Sequence, residues 1–151
     1  MFDEDSDSDS DDDAEEQQTG RILVFTTAEN LRRLFWADTW FADGTLKVSP
    51  VIFFQLFSIL GAVTQKGVNG KEQTVGMPLV HALLENKRQC SYDTVFRIIL
   101  EKGAKLGYRN IPTTLMKDFE LAIINAGKDN FGEDIIKCCF IHLCQSIYHH
   151  V

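Results

Sequence analysis

The chain has 151 residues, 44% of them hydrophobic, which is enough for one domain with a hydrophobic core. Its net charge of −7 is uneven, because residues 1–20 hold ten of the 22 acids and no base, whereas the rest of the chain holds all 15 Lys and Arg. The acidic N-terminus lacks the basic and apolar character of a targeting peptide, and the longest apolar run is too short to span a bilayer. These features exclude secreted and membrane-spanning classes, so we expect a soluble intracellular protein whose four cysteines are reduced.

Residues 1–20 are predicted to be a disordered acidic tail. Repeated Asp and Ser offer almost nothing to bury, and their charges repel one another. We interpret the tail chiefly as a solubilising segment, with the recruitment of protein partners as a further role. The folded domain is expected to span residues 21–151.

A short strand and a helix are predicted to begin this domain. Residues 22–25 are apolar and favour a strand. Thr26 and Glu29, three positions apart, are typical of a capping box, and apolar residues at helical spacing follow them.

Three strand-like segments come next, at residues 38–49, 51–63 and 74–84. Asn69 and Gly70 lie between the second and the third, and this dipeptide is the strongest short signal for a hairpin. Pro78 lacks a backbone N–H group, so we expect the third segment to be an edge strand.

The second half of the domain alternates helices and strands. Ser91 is predicted to cap a helix, residues 113–117 to form a strand, and Glu120 to begin a helix. A strand is predicted at residues 134–140, and the sequence from Ile141 onward has a helical pattern. Hairpin-linked strands followed by strand–helix units indicate an α/β class with a mixed sheet and flanking helices.

Two aspartates lie on these predicted strands. Asp43 interrupts the first apolar strand, and Asp118 follows the strand at residues 113–117. A carboxylate inside a buried strand costs several kcal/mol of free energy unless a cation or a donor pairs with it. Two such acids are the minimum for holding a hard divalent cation by oxygen ligands. For Asp43, which Gly44 follows, a turn or capping role is the alternative.

Five motifs in the correct order make this sequence similar to the MULE (Mutator-like element) transposase domain, which has a ribonuclease H-like fold. They are Thr39-Trp40-Phe41-Ala42-Asp43-Gly44-Thr45, Phe54-Gln55-Leu56, the segment from Pro78 to Lys87, Asp118-Phe119-Glu120, and Cys139-Phe140-Ile141-His142-x-x-Gln145. Each motif occurs by chance in many proteins, whereas five with compatible spacing are specific. The resemblance covers essentially all of residues 21–151 and implies a sheet of three antiparallel strands followed by strand–helix units.

The resemblance also implies a DDE catalytic site that cleaves and transfers DNA strands with two Mg²⁺ or Mn²⁺ ions. Asp43 matches the first acid of that site and Asp118 the second, on neighbouring parallel strands. Transposon-end DNA is the implied partner, and the nucleus is the implied location.

The third acid of the family is a Glu beyond the Cys-x-x-His segment, and no acid follows Asp134 in this sequence. Glu120 is expected to cap the next helix or to face solvent, so it does not replace the missing acid. We therefore expect a fragment of a transposase core that is inactive as given. The alternatives are a domesticated remnant that binds DNA or protein without catalysis, and a ribonuclease H-like nuclease of another lineage.

Cys139 and His142 match the Cys-x-x-His signature of the family. One interpretation is a zinc site, but structural zinc requires four tetrahedral ligands, and the nearby Cys and His residues do not form two regularly spaced pairs. We favour a buried strand that ends in a histidine, or a histidine that orients nucleic acid.

Overall fold

The computed structural model describes residues 20–45, 49–117 and 120–138, with Cys138 described by its backbone alone. The described elements are β1 (Ile22–Phe25), α1 (Ala28–Trp36), β2 (Thr39–Thr45), β3 (Gln55–Lys66), β4 (Glu72–Leu84), α2 (Gln89–Lys105), β5 (Thr114–Lys117), α3 (Leu121–Phe131) and β6 (Ile136–Cys138).

All six of these strands belong to one mixed sheet with the order β1-β4-β3-β2-β5-β6. Strands β2, β3 and β4 are consecutive antiparallel neighbours, and β1 pairs antiparallel with the far side of β4. Strands β5 and β6 run parallel to β2, each preceded by a helix. The predicted α/β class, with antiparallel strands followed by strand–helix units, is confirmed and is compatible with a ribonuclease H-like fold.

A chain of aromatic rings joins the three helices to one face of the sheet. Phe35 of α1 meets Trp40 of β2 edge-on at 5.6 Å between ring centroids, and Trp40 meets Phe131 of α3 at 5.5 Å. Phe96 of α2 lies 5.1 Å from Phe131 and 6.1 Å from Phe57 of β3. Edge-to-face pairs of this kind contribute about 0.5–1.5 kcal/mol beyond the burial of their area. The core therefore lies between the helices and this face of the sheet.

The opposite face of the sheet is not covered by any helix of the described residues, and we call it the open face. Its strand residues alternate with the core residues and are partly apolar. Phe25 and Leu23 of the edge strand β1 are exposed, while Phe41, Leu60 and Met116 nearer the centre are half-buried. Asp43 lies on this face.

The start of α1 differs from the predicted capping box. Thr27 is the N-cap residue, and its hydroxyl accepts a hydrogen bond of 3.1 Å from the backbone N–H of Asn30. The hydroxyl of Thr26 instead donates to the carbonyl of Leu79 at 2.9 Å. The prediction was wrong by one residue because Thr26 satisfies a strand carbonyl, which leaves its neighbour to cap the helix.

Helix α2 begins before the predicted cap. Its N-cap residue is Arg88, and Ser91 lies buried inside the first turn, where its hydroxyl donates to Asn86 Oδ1 at 2.7 Å. The same Asn86 oxygen accepts from the Arg88 backbone N–H at 3.0 Å. The side chain of Asn86 thus organises the turn that precedes the helix, and the prediction that Ser91 caps it is wrong.

The hairpin between β3 and β4 confirms the prediction from Asn69 and Gly70. Gly70 has φ of 75°, a conformation that glycine adopts at little cost, and its N–H donates to the Gly67 carbonyl at 2.9 Å. The related prediction that Pro78 marks an edge strand is wrong, because β4 has neighbours on both sides. β1 pairs only with residues 81–84, so Pro78 lies beyond its end and leaves no hydrogen bond unmade there.

Strand β6 is shorter in the described residues than predicted, and the helix predicted from Ile141 lies outside them. No helix in the described part of the chain is both long and apolar enough to cross a membrane.

Candidate catalytic site

Asp43 lies inside β2, opposite Ser58 of β3, and its side chain is exposed on the open face. Trp40 and Ala42 point the other way into the core. The expectation of a carboxylate buried in a strand is wrong, because a strand alternates its faces and Asp43 is on the solvated one. The alternative of a turn or a cap is also wrong, since the residue is paired within the sheet.

Strands β2 and β5 are parallel neighbours, as expected. Trp40 pairs with Leu115, and the described pairing ends with Ala42 beside Lys117. These last two residues directly precede Asp43 and Asp118 in the chain. We call the end of the sheet where β2 and β5 end the carboxylate rim. Asp118 itself lies outside the described residues.

A polar row crosses the open face from Asp43. Asp43 is opposite Ser58, and Ser58 is opposite His81 of β4. Ser58 Oγ and His81 Nδ1 are 2.8 Å apart, with the direction of the hydrogen bond set by the tautomer of the imidazole. Two inter-strand spacings separate His81 from Asp43, roughly 9–10 Å. Sequence reasoning missed Ser58 and His81, because only the register of three strands brings them into line with Asp43.

A shallow groove of about 300 Å³ lies beside Asp43 on the open face. Its walls include Phe41, Leu60, Gly76 and Met116. Because apolar side chains form most of this wall, the groove can hold the flat or apolar part of a molecule while Asp43 meets its polar part.

A buried hydrogen-bonded chain lies on the other side of the sheet at the same rim. The side-chain amide of Gln55 donates to the Tyr92 hydroxyl at 2.7 Å, and this hydroxyl donates to Glu120 Oε1 at 2.9 Å. Gln55 begins β3, Tyr92 lies in α2, and Glu120 directly precedes α3. Glu120 is the N-cap residue of α3, but its side chain makes no capping hydrogen bond and is only partly exposed. The expectation that it caps or faces solvent is therefore wrong, because the Tyr92 hydroxyl holds it.

No three His, Cys, Asp or Glu residues come together as a metal site within residues 20–45, 49–117 and 120–138. Asp43 can offer one carboxylate to a cation, and no hydrogen bond or ion pair in this part of the chain uses that carboxylate. Cys139 and His142, the predicted Cys-x-x-His pair, lie outside the described residues, as Asp118 does.

Comparison with known proteins shows that one family model matches this chain. The family model for the MULE transposase domain matches residues 39–146, a range that includes Asp43, Asp118, Cys139 and His142. Searches of curated proteins and of solved structures gave no match. Since the family model matches well over half of a chain that also has the mixed sheet expected for it, the chain belongs to the MULE transposase domain family.

Proposed function

We propose that this domain is part of the catalytic core of a DDE transposase, which cleaves DNA and transfers its strands with the help of divalent cations. Asp43 and Asp118 are the proposed ligands of Mg²⁺ or Mn²⁺. The observation that carries the proposal is the parallel pairing of β2 with β5, which ends with Ala42 beside Lys117, one residue before each acid.

The chemistry of the donors fits such a cation. Mg²⁺ and Mn²⁺ prefer oxygen ligands, and the Asp43 carboxylate is exposed at the carboxylate rim, where a DNA phosphate has free access. When bound, the cations activate the attacking water or 3′-hydroxyl and stabilise the leaving oxygen. The groove beside Asp43 offers Phe41 and Met116 to a sugar or base, and Ser58 and His81 offer hydrogen bonds to a phosphate.

Two carboxylates are few ligands for a divalent cation, so we infer that the site of Asp43 and Asp118 binds Mn²⁺ weakly. The apolar groove beside Asp43 also suits a second candidate function, that of a module which binds DNA or protein without catalysis. A nuclear location, and a tail that contacts protein partners, belong to both proposals.

Titration with Mn²⁺, followed by electron paramagnetic resonance of the free ion, tests the cation site. We expect a dissociation constant on the order of 10⁻⁴–10⁻³ M for the unaltered chain, as for weak carboxylate sites, and no detectable binding for Asp43→Asn. Because Asp43 is exposed, this variant should keep the thermal unfolding midpoint of the unaltered chain.

Asp38→Asn is the matched control, since Asp38 is also exposed but lies just before β2 at the opposite end of the strand. It should bind Mn²⁺ as the unaltered chain does. Equal titration curves for Asp43→Asn and the unaltered chain would exclude Asp43 as a ligand and favour the non-catalytic function.

A further inference from the structure

The most exposed aromatic side chain of the described residues is Trp36, the last residue of α1, with 74% of its surface accessible. The other tryptophan of the chain, Trp40, is fully buried, and its indole N–H donates to the Leu34 carbonyl at 2.8 Å. An indole has a large apolar face and gains free energy when another flat or apolar group covers it. An exposed tryptophan at a helix end is therefore a candidate contact for a binding partner.

Trp36 stands between two grooves at the end of the sheet opposite the carboxylate rim. The first groove, of about 580 Å³, lies between α1 and the β3–β4 hairpin and is lined by Arg32, Arg33 and Thr64. The second, of about 640 Å³, is lined by Arg109 and Asn110, among others. Both grooves include Trp36 in their walls, so a partner seated in either can contact the ring.

Arginines line both of the grooves around Trp36. Arg32 and Arg33 share a single carboxylate, that of Glu29, at 2.7 and 3.0 Å, so one acid faces two cations. Strand β3 continues five residues beyond Gly61, which pairs with Trp40 of β2, and ends at Lys66, while the turn that follows carries Lys71. The charged residues that line the two grooves are Arg32, Arg33 and Arg109, against one acid, Asp38. The surface around Trp36 thus carries an excess of positive charge.

We propose that Trp36 and the arginines around it bind single-stranded DNA, with an unpaired base stacked on the indole and Arg32, Arg33 and Arg109 contacting phosphates. An exposed aromatic ring beside positive charge is the combination that single-stranded nucleic acids use, because every base has a face that can stack. Duplex DNA offers its phosphates but keeps its base faces covered, so it uses the arginines and not the ring.

This inference extends the proposed function, since it assumes that the domain works on DNA, but it concerns a separate surface. Trp36 precedes β2, whereas Asp43 is four residues beyond Thr39 along that strand, a distance of about 13 Å. A contact at Trp36 therefore holds the DNA at a distance from the cations and needs none of them.

The experiment measures binding of a fluorescein-labelled 15-mer of deoxythymidine to the full chain by anisotropy, at low salt and with EDTA present. We expect Trp36→Ala to weaken binding by roughly 5- to 100-fold, the range seen when a stacking residue is removed. Trp36→Phe should recover most of the affinity, because a phenyl ring also stacks. In the unaltered chain the emission of Trp36 should be quenched as the oligonucleotide binds.

The arginines are tested by the salt dependence of the same binding. Arg109→Glu should weaken binding and lower the slope of log K against log salt concentration by about one phosphate contact or more. Lys87→Glu is the matched charge reversal, since Lys87 is exposed and follows β4 at the carboxylate rim, away from Trp36. Phe54→Ala is the matched loss of an exposed ring and should, like Lys87→Glu, leave affinity within twofold of the unaltered chain.

Affinities of Trp36→Ala and Arg109→Glu within twofold of the unaltered chain would overturn the proposal. Absence of binding to the oligonucleotide, or quenching of Trp36 only by an acidic peptide, would overturn it too, the latter in favour of a protein partner. Asp43→Asn should keep full affinity in EDTA. Loss of Mn²⁺ binding without loss of DNA binding, or the reverse, therefore shows which of the two proposals has failed.

Discussion

Glu29 shows how much a single exposed carboxylate contributes to stability through its ion pairs with Arg32 and Arg33. Hydrogen bonds from Arg32, and then from Arg33, lower the pKa of Glu29 from its ordinary value of 4.5 to about 2. Because the pKa in the folded state lies below that of the unfolded state, the pairing stabilises the fold fully above pH 4.5. That stabilisation is lost as the pH falls toward 2. All three side chains are well exposed, so the contribution to the free energy of unfolding is small.

We predict that Arg32→Gln raises the pKa of Glu29 toward 4.5, because the larger of its two hydrogen bonds is lost. The measurement is a titration of the Glu29 side-chain carboxyl carbon by nuclear magnetic resonance. Arg21→Gln serves as the control, since Arg21 pairs with Glu85 and should leave Glu29 unchanged. A midpoint near 4.5 for Glu29 in the unaltered chain would contradict the ion pair.

At the scale of elements, the Tyr92 hydroxyl connects three of them at the carboxylate rim. It accepts from Gln55 at the start of β3 and donates to Glu120 at the start of α3, while its own ring is packed 5.0 Å from Phe57. Gln55 is 1% exposed, so its amide cannot turn to water when the hydroxyl is removed. The hydroxyl therefore ties the start of α3 to the start of β3.

We predict that Tyr92→Phe lowers the free energy of unfolding by about 1–3 kcal/mol, the usual range for losing the hydrogen bonds of a buried hydroxyl when one of them is made to a carboxylate. Urea denaturation measures the change. Tyr108→Phe is the matched control, since the Tyr108 ring stacks on Phe35 at 5.9 Å and its hydroxyl makes no hydrogen bond in the described part of the chain. Its effect should stay within about 0.5 kcal/mol. Equal effects of the two substitutions would show that the hydrogen bonds of the Tyr92 hydroxyl do not stabilise the fold.

The elements themselves could be predicted from the sequence where the signal is local. The dipeptide of Asn69 and Gly70 determines its own turn, and the alternation of helix and strand after β4 follows from hydrophobic periodicity. The helix caps could not be predicted in this way. Thr26 and Thr27 are both threonines that can cap α1, and only the Leu79 carbonyl, which accepts from Thr26, distinguishes them. A strand supplies that carbonyl from 53 residues away.

The sequence points to the acids of the candidate site and not to their surroundings. The motif around Asp43 is the basis of the role proposed for that residue, whereas its exposure depends on which face of β2 the helices cover. Ser58 and His81 join it only through the register of β3 with β4, which shifts at a bulge between Ile59 and Leu60. No local pattern shows such a shift, so these two residues appear only in the folded sheet.

At the scale of the whole molecule, the charge of the chain is divided between its N-terminal residues and its domain. Removal of residues 1–19 would change the net charge from −7 to +3, because this segment holds ten acids and no base. The described chain starts at the carboxylate rim, where Arg21 contacts Glu85 at 2.6 Å and Ile22 pairs with Leu84. Ten carboxylates attached at that rim repel the phosphates of any DNA that approaches it.

We predict that deletion of residues 1–19 increases the affinity for DNA roughly tenfold at low ionic strength, in line with the size of electrostatic steering effects. The gain should fade above about 0.1 M salt, where the Debye length is about 10 Å and the charges no longer reach the ligand. Anisotropy of a labelled oligonucleotide across a salt series measures both. A variant of unaltered length, with the ten acids replaced by Asn and Gln, separates charge from bulk. The replacement variant could bind DNA as weakly as the unaltered chain while the chain without residues 1–19 binds DNA tightly. In that case residues 1–19 act by steric exclusion, and the electrostatic explanation is wrong.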